Sequence, residues 1–251
     1  MVVGTHRATI AGQPVTTFYA PGAWNGRVEL DERAAHHAMV KRLEVGDPVR
    51  LTNGAGLRAH ARIEGLGKRA LVLECIASSV EEMEAPARLE LWAPVGDRER
   101  MLMLAEKAVE LGVSAWRSIV YRRSRSVNPR GEGSAFRDKL RARMISALEQ
   151  SAGAWLPELL PEATIDAVAA CTFTGGTVLL DPLGQPLADL ISSIHAPVVL
   201  ALGPEGGFEP DERAAFTDAG WRTASLGTNI LRFETAGIAG VALVRSLLLR
   251  S

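Results

Sequence analysis

From Leu89 onward the chain alternates short apolar runs with longer segments of helical spacing, and this alternation constrains the fold more than any other feature. The runs LELWAPV (89–95), SIVY (118–121), TVLLD (177–181), PVVLALG (197–203) and TASLG (223–227) offer almost no polar face to solvent. Strands of that kind are buried on both sides, which predicts a parallel sheet with helices on each face. Between them, ERMLMLAEKAVELGV (99–113) puts Met101, Leu104, Ala105, Ala108 and Leu111 on one helical stripe and stops at Gly112. Ser134 suits the N-cap of a helix from Ala135 to Ser151, with Phe136, Leu140, Met144 and Leu148 on one face. A last helix, Glu234–Leu249, carries Ile238, Val241, Ala242 and Leu248.

The first eighty residues follow another rule. Val28–Leu30, Pro48–Thr52, Ala59–Ile63 and Ala70–Ile76 are short apolar or alternating runs, divided by turn signals at Asn53-Gly54-Ala55-Gly56 and Gly65–Gly67. One helix interrupts them near Glu32–Arg42. This predicts a small β-barrel-type domain over residues 1–80. A linker with Pro86 follows, then an α/β domain over residues 87–251. At 251 residues and 47% hydrophobic, the chain has enough apolar material for both cores. No apolar run approaches the roughly 20 residues that cross a bilayer, and the N-terminus has no secretion signal. Cys75 and Cys171 stand far apart without a CxxC pattern, which suits a reducing compartment. The expectation is a cytoplasmic protein with no membrane partner.

The net charge of −1 conceals an asymmetry. Residues 117–143 hold nine Lys/Arg against two acids, whereas residues 151–220 hold only Arg213 against ten. A basic cluster of this density suits a polyanionic partner, although a solvated helix face accounts for it equally well on charge alone.

Two loops run from a strand into a helix, where ligands of open α/β sheets settle. The first is LGPEGGFEPDE (202–212) and the second LGTNILRFETA (226–236). Gly203, Gly206 and Gly207 let backbone approach a ligand, and a helix start offers free N–H groups. Neither loop has a GxxxxGK[ST] or first-strand GxGxxG pattern. Glu205, Glu209, Asp211 and Glu212 would repel a phosphate, so the loop suits a ligand that is neutral or cationic there. Asp211 and Glu212 are explained as an acidic helix start.

GPEGGFEPDE resembles the GPEGG-F-S-x-x-E motif, and LGTNILRFETA the LG-x-R-ILR-x-ETA motif, of the RsmE-type 16S ribosomal RNA uridine N3 methyltransferases, members of the SPOUT superfamily. Lys107 with Glu110-Leu111-Gly112-Val113, Glu149-Gln150-Ser151 before Pro157, and the N-terminal HHAMVKRLEVGDPVRLTNGAG resemble further segments of that family. The resemblance spans nearly the whole chain from about Thr17.

It implies an α/β domain with a parallel sheet and a trefoil knot, behind a PUA-like RNA-binding barrel. It further implies S-adenosylmethionine as cofactor, held by Leu180, Leu202, Gly203, Gly206, Gly207, Leu226, Gly227, Ile230 and Leu231. A homodimer completes the site, and the partner is 16S ribosomal RNA in the small ribosomal subunit. This chain departs from the family with Glu209 for the usual Ser, with Asn229 and Gly153 for Arg, and with Val95 near the usual Lys. Arg98, Arg100, Arg122 and Arg123 supply charge nearby.

Methylating a uridine nitrogen needs an unpaired base, an exit for its proton and a cation beside the developing anion. Arg232, in the second loop, is the candidate for the cation, because Arg presents a fixed fork of donors. Glu234 is the other catalytic candidate, although its place at the start of the last helix also suits a structural role. Lys41, Arg42, Arg122, Arg123 and Arg125 are candidates for RNA phosphates. Tyr121 or Phe233 could stack on a base or belong to the core. Trp92, Trp116 and Trp155 read as core, and the scattered histidines give no metal site. Two other readings share the motifs: a related enzyme acting on ribose or transfer RNA, and a non-catalytic RNA-binding protein of the same fold.

Overall fold

The computed structural model describes residues 15–126, 131–170, 173–190 and 193–249, without the side chains of 125, 126 and 169. His6 and Cys171 lie outside the described residues. The chain divides into two compact units, one running to Asn53 and resuming over Leu57–Glu82, the other formed by Gly54–Gly56 with Met83 onward.

In the first unit, β1 (Thr17–Tyr19), β2 (Arg27–Leu30), β3 (Pro48–Thr52), β4 (Leu57–Leu66) and β5 (Leu71–Cys75) form a sheet in the order β1-β3-β4-β5-β2. A short β6 (Glu81–Glu82) pairs with β4. Helix α1 (Glu32–Val40) starts where the Asp31 carboxylate accepts the Ala34 N–H at 3.1 Å. It buries Ala34, Ala35 and Ala38 with Phe18, Leu51, Ile63, Leu71 and Leu73. Alternation along β4, where Ala59, Ala61 and Ile63 are buried and His60 and Arg62 are exposed, produces one wet face.

The second unit contains β7 (Leu89–Pro94), α2 (Arg98–Glu110), β8 (Ala115–Val120), α3 (Ser134–Ser151), β9 (Glu158–Leu159), β10 (Ala163–Thr164) and α4 (Asp166–Ala169). It continues with β11 (Gly176–Pro186), α5 (Leu187–Leu190), β12 (Val198–Leu202), α6 (Pro210–Asp218), β13 (Arg222–Ser225) and α7 (Phe233–Leu248). The strands are all parallel, in the order β10-β8-β7-β12-β11-β13, with β9 on β8. Every residue of β7 and β12 is buried. Leu179, Val199 and Ala201 face an aromatic layer of Trp92, Tyr121, Phe208, Phe216 and Trp221, while Leu180, Leu200 and Leu202 meet α7. A sheet covered on both faces is what the wholly apolar runs require.

Several boundaries differ from the sequence reading. Gly133, not Ser134, occupies the N-cap of α3, with φ 79° and no side-chain cap. The strand expected at 118–121 lies at Ala115–Val120, because Tyr121 begins a turn in which Ser124 Oγ accepts its N–H at 3.3 Å. β13 ends at Ser225, so Leu226 and Gly227 belong to the second loop. Trp92 and Trp116 are buried, but Trp155 is only half-buried. Arg245 of α7 is also buried, donating to the carbonyl of Ala87 at 2.7 Å and to that of Gly112.

Candidate functional site

Three neighbouring strands set the floor of the site. Leu180 of β11 stands in register with Leu202 of β12 on one side and Ala224 of β13 on the other. Helix α7 closes beneath them because Gly237 and Gly240 leave room: a Cβ at 240 would come 2.5 Å from Leu180. Above the floor, the loops 203–208 and 226–232 enclose a cavity of about 610 Å³. Leu180, Leu202, Gly203, Gly206, Gly207, Leu226, Gly227, Ile230 and Leu231 all line it, and so does Arg232. Glu234 does not; it is buried behind the wall, with Oε1 3.9 Å from Arg100 Nε and Oε2 lacking a partner.

The first loop holds its shape through its glycines. Gly207 has φ +74°, a left-handed conformation that a side chain would strain. Phe208 folds under the loop so closely that a Cβ on Gly203 would meet its ring at 2.7 Å. Tyr121 supports this ring edge-on at 5.3 Å and donates its hydroxyl to the Leu202 carbonyl at 3.0 Å. Burial raises the phenol's pKa, so the hydroxyl remains a donor. Tyr121 and Phe233 are both buried, and Phe233 also lines the cavity.

The acidic rim read from the sequence is neutralised in the fold. Glu205 pairs with Arg100 of α2. Glu209 accepts from Arg123 Nε at 2.9 Å, Asp211 pairs with Arg122, and the Gly206 carbonyl accepts from Arg123 at 2.6 Å. The loop therefore presents paired carboxylates, and its tolerance for a cation does not come from free negative charge. Arg123's hydrogen bond, then its charge, hold the Glu209 carboxyl below its usual range. Glu212 is more than an acidic helix start. It is buried, with one oxygen accepting the Arg122 N–H at 2.8 Å and the other the Glu209 N–H at 2.9 Å, which closes the start of α6 without the family serine.

Of the RNA candidates, Arg122 and Arg123 remain about half-exposed but are committed to these pairs. Lys41 and Arg42 are exposed at the end of α1, in the first unit. The side chain of Arg125 lies outside the described residues. Sequence reasoning missed Asp181 and Arg213, which also line the cavity and pair at 3.0 Å. The available signal was that Arg213 is the lone cation between residues 151 and 220. Among the described residues no group of three or more His, Cys, Asp or Glu is placed to hold a metal, and no helix is long and apolar enough to cross a membrane.

Glycine loops at the carboxyl ends of a parallel sheet, enclosing a cavity of this size rimmed by arginines, define an α/β domain that binds a small organic cofactor. Residues 83–245 match the family model described as an RNA methyltransferase domain, and residues 30–75 the one described as an RNA methyltransferase PUA domain. The chain belongs to the RNA methyltransferase family. It is 30% identical over 222 residues to a ribosomal RNA small subunit methyltransferase E from Mycobacterium bovis, covering 83% of this chain and 80% of the relative. With the enzyme of the same name from Rickettsia conorii it shares 27% identity, covering 90% and 92%. A crystal structure of a ribosomal RNA small subunit methyltransferase E from Neisseria gonorrhoeae, bound to S-adenosyl methionine, superimposes with a TM-score of 0.82 at 27% identity, covering 93% and 98%.

Proposed function

We propose that this protein transfers a methyl group from S-adenosylmethionine to N3 of a uridine in 16S ribosomal RNA of the small subunit. The observation that carries the reading is the cavity itself: nine residues of the two family motifs and of β11 at Leu180 converge on one space, with Arg232 at its edge. The relatives' names, ribosomal RNA small subunit methyltransferase E, support methyl transfer to that RNA. The residues fit the cofactor: the Leu180, Leu202 and Ala224 floor is apolar enough for a purine, and the loops offer backbone groups. Bound there, S-adenosylmethionine supplies an electrophilic methyl group on a sulfonium.

The protein's own part is to hold the uridine and manage its N3 proton. Arg232 is the N-cap of α7, exposed, with extended backbone. Of the three arginines lining the cavity, Arg100 and Arg213 are ion-paired, and the Arg232 guanidinium has no hydrogen bond or ion pair among the described residues. Its guanidinium is free to stabilise the uracil anion as the proton leaves for solvent. Glu234, two residues on, acts as a positioning residue: it fixes Arg100 and the first turn of α7 behind Arg232.

Residues 1–80 serve as the RNA-binding domain, with Lys41 and Arg42 on phosphates, and residues 87–251 as the catalytic domain, to which Arg122, Arg123 and Arg125 bring RNA. The knot implied by the motifs would thread the chain at the two cavity loops. The outward face of α7 presents Thr235, Ile238, Ala239, Ala242, Leu243 and Ser246 without a charge, which supports a homodimer formed through this helix. The site of action is the cytoplasm, where ribosomal subunits are built.

Replacing Arg232 by alanine should lower kcat about 100- to 1,000-fold while the affinity for S-adenosylmethionine changes little. Mass spectrometry of 16S ribosomal RNA from a deletion strain tests the target. Persistence of 3-methyluridine at full level, or failure of the purified protein to bind S-adenosylmethionine, would overturn the reading.

A further inference from the structure

Arg213 is oddly placed for the single cation of an acidic stretch. It projects from α6 onto the cavity wall, and its Nε donates to Asp181 Oδ2 at 3.0 Å. Asp181 is 2% exposed, and its other oxygen accepts the Leu183 N–H at 2.8 Å, so the backbone anchors the carboxylate that holds the arginine. The guanidinium also lies over the Phe208 ring, 5.5 Å from its centroid. Nε is thus occupied, while the terminal amino groups have no hydrogen bond among the described contacts, and 38% of the side chain is exposed. A guanidinium fixed in this way by an ion pair through Nε and by a ring is preorganised, with its two terminal nitrogens left to meet a further acceptor.

We propose that Arg213 receives the α-carboxylate of the cofactor's amino-acid tail, through its two terminal nitrogens. The inference rests on S-adenosylmethionine being the ligand of this cavity. That molecule carries one carboxylate and no other anionic group at neutral pH; of the cavity's other arginines, Arg100 is held between Glu205 and Glu234, and Arg232 is the one assigned above to the uracil anion. Phe208 and Asp181 act here as positioning residues. Together they keep the arginine at the wall instead of in solvent.

The test is calorimetry on the full chain with two ligands, S-adenosylhomocysteine and 5′-methylthioadenosine. The second keeps the nucleoside and thioether but lacks the carboxylate. In Arg213→Met, affinity for S-adenosylhomocysteine should fall roughly 10- to 100-fold, the loss of a hydrogen-bonded charge pair, while affinity for 5′-methylthioadenosine stays within about twofold. Retained binding of the second ligand also shows that the variant is folded. Arg213→Lys should give an intermediate loss for the first ligand, and Asp181→Asn a smaller loss confined to that ligand. Equal loss for both ligands, or no loss for either, overturns the proposal. A wild-type protein that binds neither ligand overturns the cofactor assignment instead.

Discussion

Gly203 has no room for a side chain, since its Cβ would stand 2.7 Å from Phe208, whose ring is held by Tyr121 and Phe216. Gly203→Ala should therefore push this aromatic layer as well as the loop. We expect about 1–3 kcal/mol of lost stability in urea titrations, with at least a tenfold weaker affinity for S-adenosylmethionine by calorimetry. Glu209 gives a pH dependence of known sign. Its folded pKa is depressed, so what its bond to Arg123 contributes is present above the ordinary carboxylate value near about 4.3. The contribution is lost as pH falls through the lowered folded value. Amide protection factors in the Gly206–Glu212 loop, corrected for the intrinsic exchange rate at each pH, should fall on acidification below about pH 4, and Glu209→Gln should already show the lower protection at neutral pH. The glycines of this loop were legible as a ligand site from the sequence. Its electrostatics were not, because Glu205 and Glu209 find their arginines 105 and 86 residues earlier in the chain. A charge count along the sequence cannot see such pairing. Arg213 escaped for the same reason: its partner Asp181 sits midway along β11, 32 residues earlier.

At the scale of elements, the apolar runs predicted the sheet well, since burial on both faces leaves no polar alternation to misread. The run at 118–121 was placed late because Arg117 interrupts the strand. Its guanidinium lies over Trp92 and near Glu90, which hides a charge inside an element that otherwise reads as core. Helix α7 illustrates how one element is fastened at both ends. Its glycines seat it on the strands, and Arg245 bonds the carbonyls of Ala87 and Gly112, on the segments that lead into β7 and out of α2. Burial lowers the pKa of this guanidinium, although it remains charged at any physiological pH. Arg245→Met would keep the packing and remove the donors. The two carbonyls would lose their partners, at a cost of about 2–4 kcal/mol in the unfolding of the second unit, measurable by urea denaturation.

At the scale of the whole molecule, the uncharged outer face of α7 is the contact proposed for a second copy. Leu243 is 46% exposed at the middle of that face. Leu243→Lys would place a charge in the proposed contact, and sedimentation should then show a monomer where the parent chain is a dimer. Monomeric parent protein at micromolar concentration would remove the dimer from the proposal. The two-unit organisation has a separate consequence. Residues up to Glu82 complete the first unit, whereas the cavity needs arginines from α2 and the turn at 122–123, strand residues near 180, 202 and 224, and the wall formed by Arg232 to Ala236. A ribosome releases these parts in that order, so the first unit can fold while the basic turn still lacks its acidic loop. Until the second loop has emerged, the nascent chain carries a foldable first unit without the cavity. The RNA contacts proposed for Lys41 and Arg42 are therefore complete before the proposed methyl-donor site can form.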